Sequence, residues 1–233
     1  MQYLGGKSRI AKPLAEMLNK AIQFSASRLY YEPFAGAMNV AQYVNADELL
    51  LSDAHEDLIF LWQALFDGWQ PPRTVTEDEY KAAKTMEPSA LRGFIGFGCS
   101  FGGKWFGGYA RDGREHSRSY SEGCVNSLNK KLTHFKDKNV SVFRAGYSDL
   151  VIVPGSVIYC DPPYANTTKY SILFDHTQFW DWVRRQSLTS TVFVSEYTAP
   201  DDFECVKEFT VHADLRSTSF TKRTEKVFVY RGI

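Results

Sequence analysis

The sequence predicts an α/β fold: a sheet of about seven mostly parallel strands, closed by an antiparallel strand, with a small subdomain inserted after its first half. Three observations lead there. Apolar runs of strand length alternate with segments of helical periodicity over residues 1–66, which is the grammar of a parallel sheet. The alternation stops over 67–138, where glycines and aromatics dominate. It resumes at 140 and ends in two extended segments, which read as an antiparallel pair.

In chain order, Gly5-Gly6 turns into a helix marked by Ile10, Leu14, Met17, Leu18 and Ala21, spaced three and four apart. Leu29, Tyr30 and Tyr31 form a short strand, stopped by Pro33 and Gly36. A helix is expected over 39–44. Leu49, Leu50 and Leu51 form a buried strand ending at Asp53, and Leu58, Leu61, Trp62 and Leu65 mark the next helix. Eight of the sixteen glycines then fall between Gly93 and Gly113, interleaved with Phe94, Phe97, Phe101, Trp105, Phe106 and Tyr109. So glycine-rich a stretch lacks regular periodicity and predicts loops and short helices, with most of the aromatics forming a small core. Strands follow over 140–143 and 157–160, a helix over 177–186, a strand over 191–195, and the closing pair at 209–213 and 226–230. This divides the chain into a sheet domain, 1–66 with 139–233, and an insertion, 67–138.

With 233 residues, 44% of them hydrophobic, the chain can bury one sizeable core. The formal net charge is zero, but the charges segregate. Nine Lys/Arg stand against four Asp/Glu from Arg92 to Lys138, whereas Asp47 to Asp57 holds five acids and no Lys or Arg. A basic face is therefore available to a polyanion. Cys99, Cys124, Cys160 and Cys205 are scattered, with no C-x-x-C. That excludes a cysteine zinc site and a disulfide framework, and fits reduced thiols in the cytoplasm. No stretch approaches the roughly 20 apolar residues of a membrane span, and the first residues lack a signal peptide's apolar run.

Asp161-Pro162-Pro163-Tyr164 follows an apolar strand, where ligands bind in open parallel sheets. The tetrapeptide suits an aromatic amine such as N6 of adenine, whose lone pair is delocalised into the ring. Asp161 accepting one N–H and the Pro162 carbonyl accepting the other would favour a pyramidal nitrogen. Neither proline carries a competing N–H, and Tyr164 offers a face for stacking. Taken alone, the motif is equally a strand-ending turn. Glu32-Pro33-Phe34-Ala35-Gly36-Ala37 allows close backbone approach of an adenosyl or nucleotide group, or is only a tight βα turn. It is not G-x-G-x-x-G. Asp53 is placed to bind ribose hydroxyls or to cap the next helix. Gly5-Gly6-Lys7 lacks the spacing of a P-loop, and Lys7 reads by default as a surface lysine. In the glycine-aromatic stretch, basic residues can meet phosphates and aromatics can support a displaced base.

Together, Y-L-G-G-K (Tyr3 to Lys7), E-P-F-A-G-A (Glu32 to Ala37), L-S-D (Leu51 to Asp53), G-Y-S-D (Gly146 to Asp149) and D-P-P-Y (Asp161 to Tyr164) resemble, in this order and spacing, the Dam-type (D12 class, alpha-arranged) DNA adenine-N6 methyltransferases. The resemblance extends to the segments around Tyr197 and Lys222. It implies a Rossmann-like methyltransferase sheet, S-adenosylmethionine as cofactor with S-adenosylhomocysteine as product, and a target-recognition subdomain at 67–138. Tyr3 and Lys7 are then expected over the cofactor, with Glu32, Pro33, Phe34, Ala35 and Gly36 around its methionine and adenosine parts. Asp53 with Ala54 would hold the ribose, and Tyr147 would flank the cofactor's adenine. Asp161, Pro162, Pro163 and Tyr164 would hold the target adenine, with Asp161 also bordering the cofactor. Arg92, Lys104, Arg111, Arg114, Arg118, Lys222 and Arg223 are the candidates for contact with double-stranded DNA. No metal and no membrane are expected, and a monomer, at most weakly paired on DNA, is the default. The insertion is short for the family, which points to a short or degenerate recognition site. RNA adenine methylation, DNA cytosine-N4 methylation and an inactive DNA-binding module on the same fold are the alternatives. Asp161 argues against the cytosine enzymes, which more often carry Ser there.

Overall fold

The computed structural model describes residues 1–111, 119–164, 174–213 and 221–232, with backbone alone at 211–213 and 221–223. Its strands are β1 (Leu29–Glu32), β2 (Glu48–Asp53), β3 (Val140–Arg144), β4 (Val157–Cys160), β5 (Thr191–Glu196), β6 (Phe203–Ala213) and β7 (Thr221–Tyr230). They form one seven-stranded sheet in the order β3-β2-β1-β4-β5-β7-β6. Pairing is parallel from β3 through β5. Strand β7 runs antiparallel between β5 and β6, so it alone opposes the rest. The expected closing pair is present, but β6 begins earlier than its periodicity suggested. A register shift between Cys205 and Lys207 interrupts the alternation at that end.

The helices are α1 (Ala11–Phe24), α2 (Glu56–Phe66), α3 (Glu77–Ala83), α4 (Ala90–Gly93), α5 (Tyr120–Leu132) and α6 (His176–Ser187). Strand side chains alternate between the two faces of the sheet, as the pleat requires. Tyr30, Leu49, Leu51, Val157, Tyr159 and Phe193 share one buried cluster with Leu14, Leu18 and Ile22 of α1, Leu58, Leu61 and Trp62 of α2, and Leu128 of α5. Tyr31, Ile158, Cys160, Val192 and Val194 face the other way, onto Phe179, Trp182 and Val183 of α6. Both faces are covered, which explains why the strands read as nearly continuous apolar runs.

Residues between α2 and β3 join the first cluster through Val75, Tyr80, Phe94, Phe97, Leu128 and Phe135. Much of this segment is short helices and turns, including a π-turn at Phe94–Gly98. Helix α5 is longer than expected there. Its signal was present: Val125, Leu128 and Leu132 at helical spacing, and Ser119 three residues before Glu122, the side chain of Ser119 accepting the Glu122 N–H. The helix expected over 39–44 is only a 3-10 turn at Ala41–Tyr43. The turn leaving β1 uses the residues before it, with Gly36 and Met38 both at positive φ (49° and 51°). Too few residues then remain before the chain extends at Val44. Among the described residues, no helix is long and apolar enough to cross a membrane.

Candidate active-site cleft

Strand β1 pairs with β2 on one side and β4 on the other, and the chain leaves it in both directions. The carboxyl edge at this reversal is where open α/β sheets bind ligands. A cleft of about 1400 Å³ lies there, larger than the roughly 300–1,000 Å³ that suits one small ligand. It brings together Tyr3, Lys7, Glu32, Pro33, Phe34, Ala35, Gly36, Asp53, Ala54, Tyr147, Asp161, Pro162, Pro163 and Tyr164, residues that are far apart in the sequence.

The end of β1 forms a cradle. Gly36 adopts φ +49°, and a Cβ there would stand 3.0 Å from the Tyr3 ring, so glycine both permits the turn and keeps the surface open. Its N–H donates to Asp53 Oδ2 (3.0 Å), and its carbonyl accepts from Trp62 Nε1 (2.9 Å). Asp53 Oδ1 accepts the His55 N–H (2.9 Å). Asp53 thus ties the tips of β1 and β2 together. It does not cap α2, whose N-cap residue is His55 with no side-chain cap bond. Burial raises the Asp53 carboxyl above its ordinary range, opposed by these backbone N–H groups.

Glu32 is buried at the floor of the cleft and accepts from the Tyr30 hydroxyl at 2.7 Å. Burial pushes its carboxyl up to about 8, against the pull of that hydrogen bond. Behind the cradle, the buried Lys131 of α5 donates to the Ala37 carbonyl and to Asn39 Oδ1. Burial brings its ammonium down to about 8, while the Glu32 carboxyl acts in the opposite direction. Lys131 was not among the sequence candidates, because its segment was read only as loops and short helices. One wall is aromatic: Phe34 stacks on Tyr147 with centroids 5.7 Å apart, and Phe174 packs edge-on to Phe34 at 5.9 Å.

Asp161 directly follows β4, and its carboxylate faces Lys7. The ammonium is 2.7 Å from Oδ1 and 2.9 Å from Oδ2, and also donates to the Gly5 carbonyl at 3.0 Å. Lys7 is therefore no surface lysine. It is buried on the Asp161 carboxylate and lies 4.5 Å from the centre of the Tyr164 ring. Burial raises the Asp161 carboxyl above its ordinary range. Lys7 opposes that, and the charges of Glu225 and Glu196 add to it. The Tyr164 hydroxyl donates to Glu225 Oε2 at 2.6 Å, and Tyr197 packs edge-on to its ring at 4.7 Å. Glu225 and Tyr197 lie in segments that carried the resemblance without a role of their own.

The candidate DNA contacts separate. Lys104 is exposed and lines the cleft mouth. Arg111 is exposed and donates to Glu77 at 3.1 Å. Arg92 is half-buried and donates to Asp57 Oδ2 at 2.9 Å, with its guanidinium 5.2 Å from the Trp105 ring centre. Arg114 and Arg118 lie outside the described residues, and the Lys222 and Arg223 side chains lie outside the described atoms of β7. In the glycine-aromatic stretch, Phe94 and Phe97 are buried, Trp105, Phe106 and Tyr109 are half-buried, and Phe101 is exposed. Most of these rings are therefore core, as expected. Among the described residues, no group of three or more His, Cys, Asp or Glu could hold a metal ion.

Residues 3–90 match the model of the family described as D12 class N6 adenine-specific DNA methyltransferase. No curated protein matches the chain. Among solved structures, the chain is similar to the rRNA methyltransferase AviRa from Streptomyces viridochromogenes, with 10% identity, a TM-score of 0.45 and coverage of 97% of this chain and 85% of that one. A putative RNA methyltransferase from Pyrococcus horikoshii is similar at 11% identity and a TM-score of 0.42, over 94% and 81% of the two chains. A putative methyltransferase complexed with S-adenosylhomocysteine is similar at 8% identity and a TM-score of 0.39, over 98% and 54%. The chain is an α/β protein with a seven-stranded, mostly parallel sheet in the order described, and over residues 3–90 it matches the model of the D12 class N6 adenine-specific DNA methyltransferases.

Proposed function

We propose that this protein transfers a methyl group from S-adenosylmethionine to the N6 amine of an adenine held outside the DNA duplex. The observation that carries the reading is the position of Asp161 in the cleft, beside the Gly36–Asp53 cradle and within one continuous cavity.

The residues fit the cofactor. The surface at Gly36 is open where a Cβ would meet Tyr3, Asp53 supplies a carboxylate for hydroxyl groups, and Phe34, Tyr147 and Phe174 offer apolar ring faces. When bound, the cofactor supplies an electrophilic methyl group on a sulfonium. The chain's own residues do the rest. Asp161 accepts one N–H of the target amine and the Pro162 carbonyl accepts the other, which redirects the nitrogen lone pair out of the ring; as the new N–C bond forms, the nitrogen becomes positive and gives up the proton held at Asp161. Tyr164, fixed at its hydroxyl by Glu225, supports the base. These acceptors are oriented before the reaction, so catalysis is mainly positioning and electrostatics. Taking the base out of the helix costs a few kcal/mol, offset by stacking and by phosphate contacts such as that offered by Lys104.

The test offers labelled S-adenosylmethionine separately with unmethylated duplex DNA, single-stranded DNA and RNA, followed by nucleoside analysis. N6-methyldeoxyadenosine from duplex DNA is expected. Asp161→Ala should abolish the label while retaining the cofactor, and Asp53→Ala should weaken cofactor binding. Label recovered in RNA or as N4-methylcytosine would overturn the assignment of the acceptor.

A further inference from the structure

The contact between Lys7 and Asp161 bears directly on the reaction. An ammonium donates to the very carboxylate that the target amine requires, and it engages both oxygens, at 2.7 and 2.9 Å. The two side chains are only 6% and 18% exposed. Parting such a pair with no replacement partner strands a charge in a desolvated place. A bare displacement of Lys7 by the amine would therefore be slow.

The cleft provides a second acceptor. Glu225 reaches in from β7, and its Oε2 lies 3.8 Å from the Lys7 ammonium. A movement of about 1 Å would bring that pair to hydrogen-bonding distance. Its side chain is 17% exposed, and Oε2 already accepts the Tyr164 hydroxyl at 2.6 Å. A carboxylate has about four lone-pair sites, so Glu225 can hold the tyrosine and receive the lysine together.

We infer that Glu225 is a positioning residue for methyl transfer, which receives the Lys7 ammonium as the target amine displaces it from Asp161 and meanwhile holds the Tyr164 ring in place. The inference rests on the reaction proposed above. In the unliganded protein Lys7 stands where the amine's N–H will come and keeps Asp161 oriented. On binding, one N–H donor replaces another on Asp161, and the ammonium stays paired throughout. No proton moves, and the summed charge of Lys7, Asp161 and Glu225 is the same before and after. Arrival of the base and release of the carboxylate become one exchange, so an empty cleft keeps its acceptor covered.

The experiment compares the wild-type protein with Glu225→Gln, Glu225→Asp, Lys7→Met and the Glu225→Gln/Lys7→Met double variant. Single-turnover methylation of unmethylated plasmid DNA is followed with tritiated S-adenosylmethionine, and cofactor affinity is measured separately by calorimetry. Glu225→Gln should bind the cofactor normally yet turn over about 10²-fold more slowly, the scale of a misplacement near 1 Å. Glu225→Asp, which keeps the charge, should recover part of that loss. The double variant should be faster than Glu225→Gln alone, because no ammonium remains to hold Asp161. A purely structural Glu225 would instead give losses that add in the double variant, and that result overturns the inference, as does a Glu225→Gln protein with the wild-type rate. A wild-type protein that labels no adenine defeats the functional reading and the inference together, whereas an active wild type with additive variants defeats the inference alone.

Discussion

Glu32 carries a consequence that can be measured without any substrate. Its carboxyl titrates near 8 in the folded protein against an ordinary 4.5, chiefly because it is buried. Between those two values the folded state binds a proton that the unfolded chain has released. Stability from this group is complete below 4.5 and is lost as the pH rises through about 8. Lys131 has the opposite sign: its ammonium is brought down to about 8, so its contribution is present above 10.5 and is lost as the pH falls through about 8. Glu32→Gln keeps a neutral hydrogen-bonding group beside Tyr30 at every pH. Relative to the wild type, its melting temperature should rise across the window by several degrees, at about 2–4 °C per kcal/mol for a chain of this size. Melting curves at both ends of the window decide this. A difference that does not grow with pH means that Glu32 is already ionised in the folded protein.

At the scale of elements, the junction of α2 and α4 determines how the segment after β2 meets the sheet. Gly93 lies so close to α2 that an added Cβ would sit 2.2 Å from the Asp57 carbonyl oxygen and 3.2 Å from Leu61 Cβ. Backbone cannot yield as a side-chain tip can. Asp57 then holds α4 by both oxygens, accepting from the Ser89 N–H at 3.0 Å and from Arg92 at 2.9 Å. Gly93→Ala should cost about 1–3 kcal/mol through overpacking, read as a lower denaturation midpoint with an unchanged m-value. Wild-type stability in that variant would show that the two helices can separate freely. The same junction engages one arginine of the basic stretch, Arg92, in an ion pair with Asp57.

For the molecule as a whole, charge and topology act together. The formal net charge is zero, so the DNA affinity that the proposed function requires must come from local placement. Lys104 at the cleft mouth and the half-buried Arg92 should respond differently to removal. Lys104→Ala should weaken DNA binding alike for all sequences and reduce the slope of log K against log salt by about 0.9, with stability unchanged. Arg92→Ala should lower the melting temperature, because Asp57 loses its ion-pair partner. Filter binding over a salt series, together with melting curves, separates the two. Equal salt slopes for wild type and Lys104→Ala would remove Lys104 from the interface.

The sequence by itself determined the alternation of strands and helices, the cradle after β1, the acidic tip of β2 and the Asp161-Pro162-Pro163-Tyr164 turn, because these depend on short-range rules: pleat, helical period and turn chemistry. It also carried a legible signal for α5 in Ser119, Glu122 and the spacing of Val125, Leu128 and Leu132. What only the tertiary structure decided is which distant side chains meet. Lys7 and Asp161 are 154 residues apart, and Tyr164 and Glu225 are 61 apart. No local pattern encodes those contacts. They exist because α1, which follows Lys7, packs against β4, and because β7 inserts antiparallel next to β5 and delivers Glu225 to the carboxyl edge. Sheet order is settled by the burial of two whole faces at once, a property of the folded chain and of no single segment.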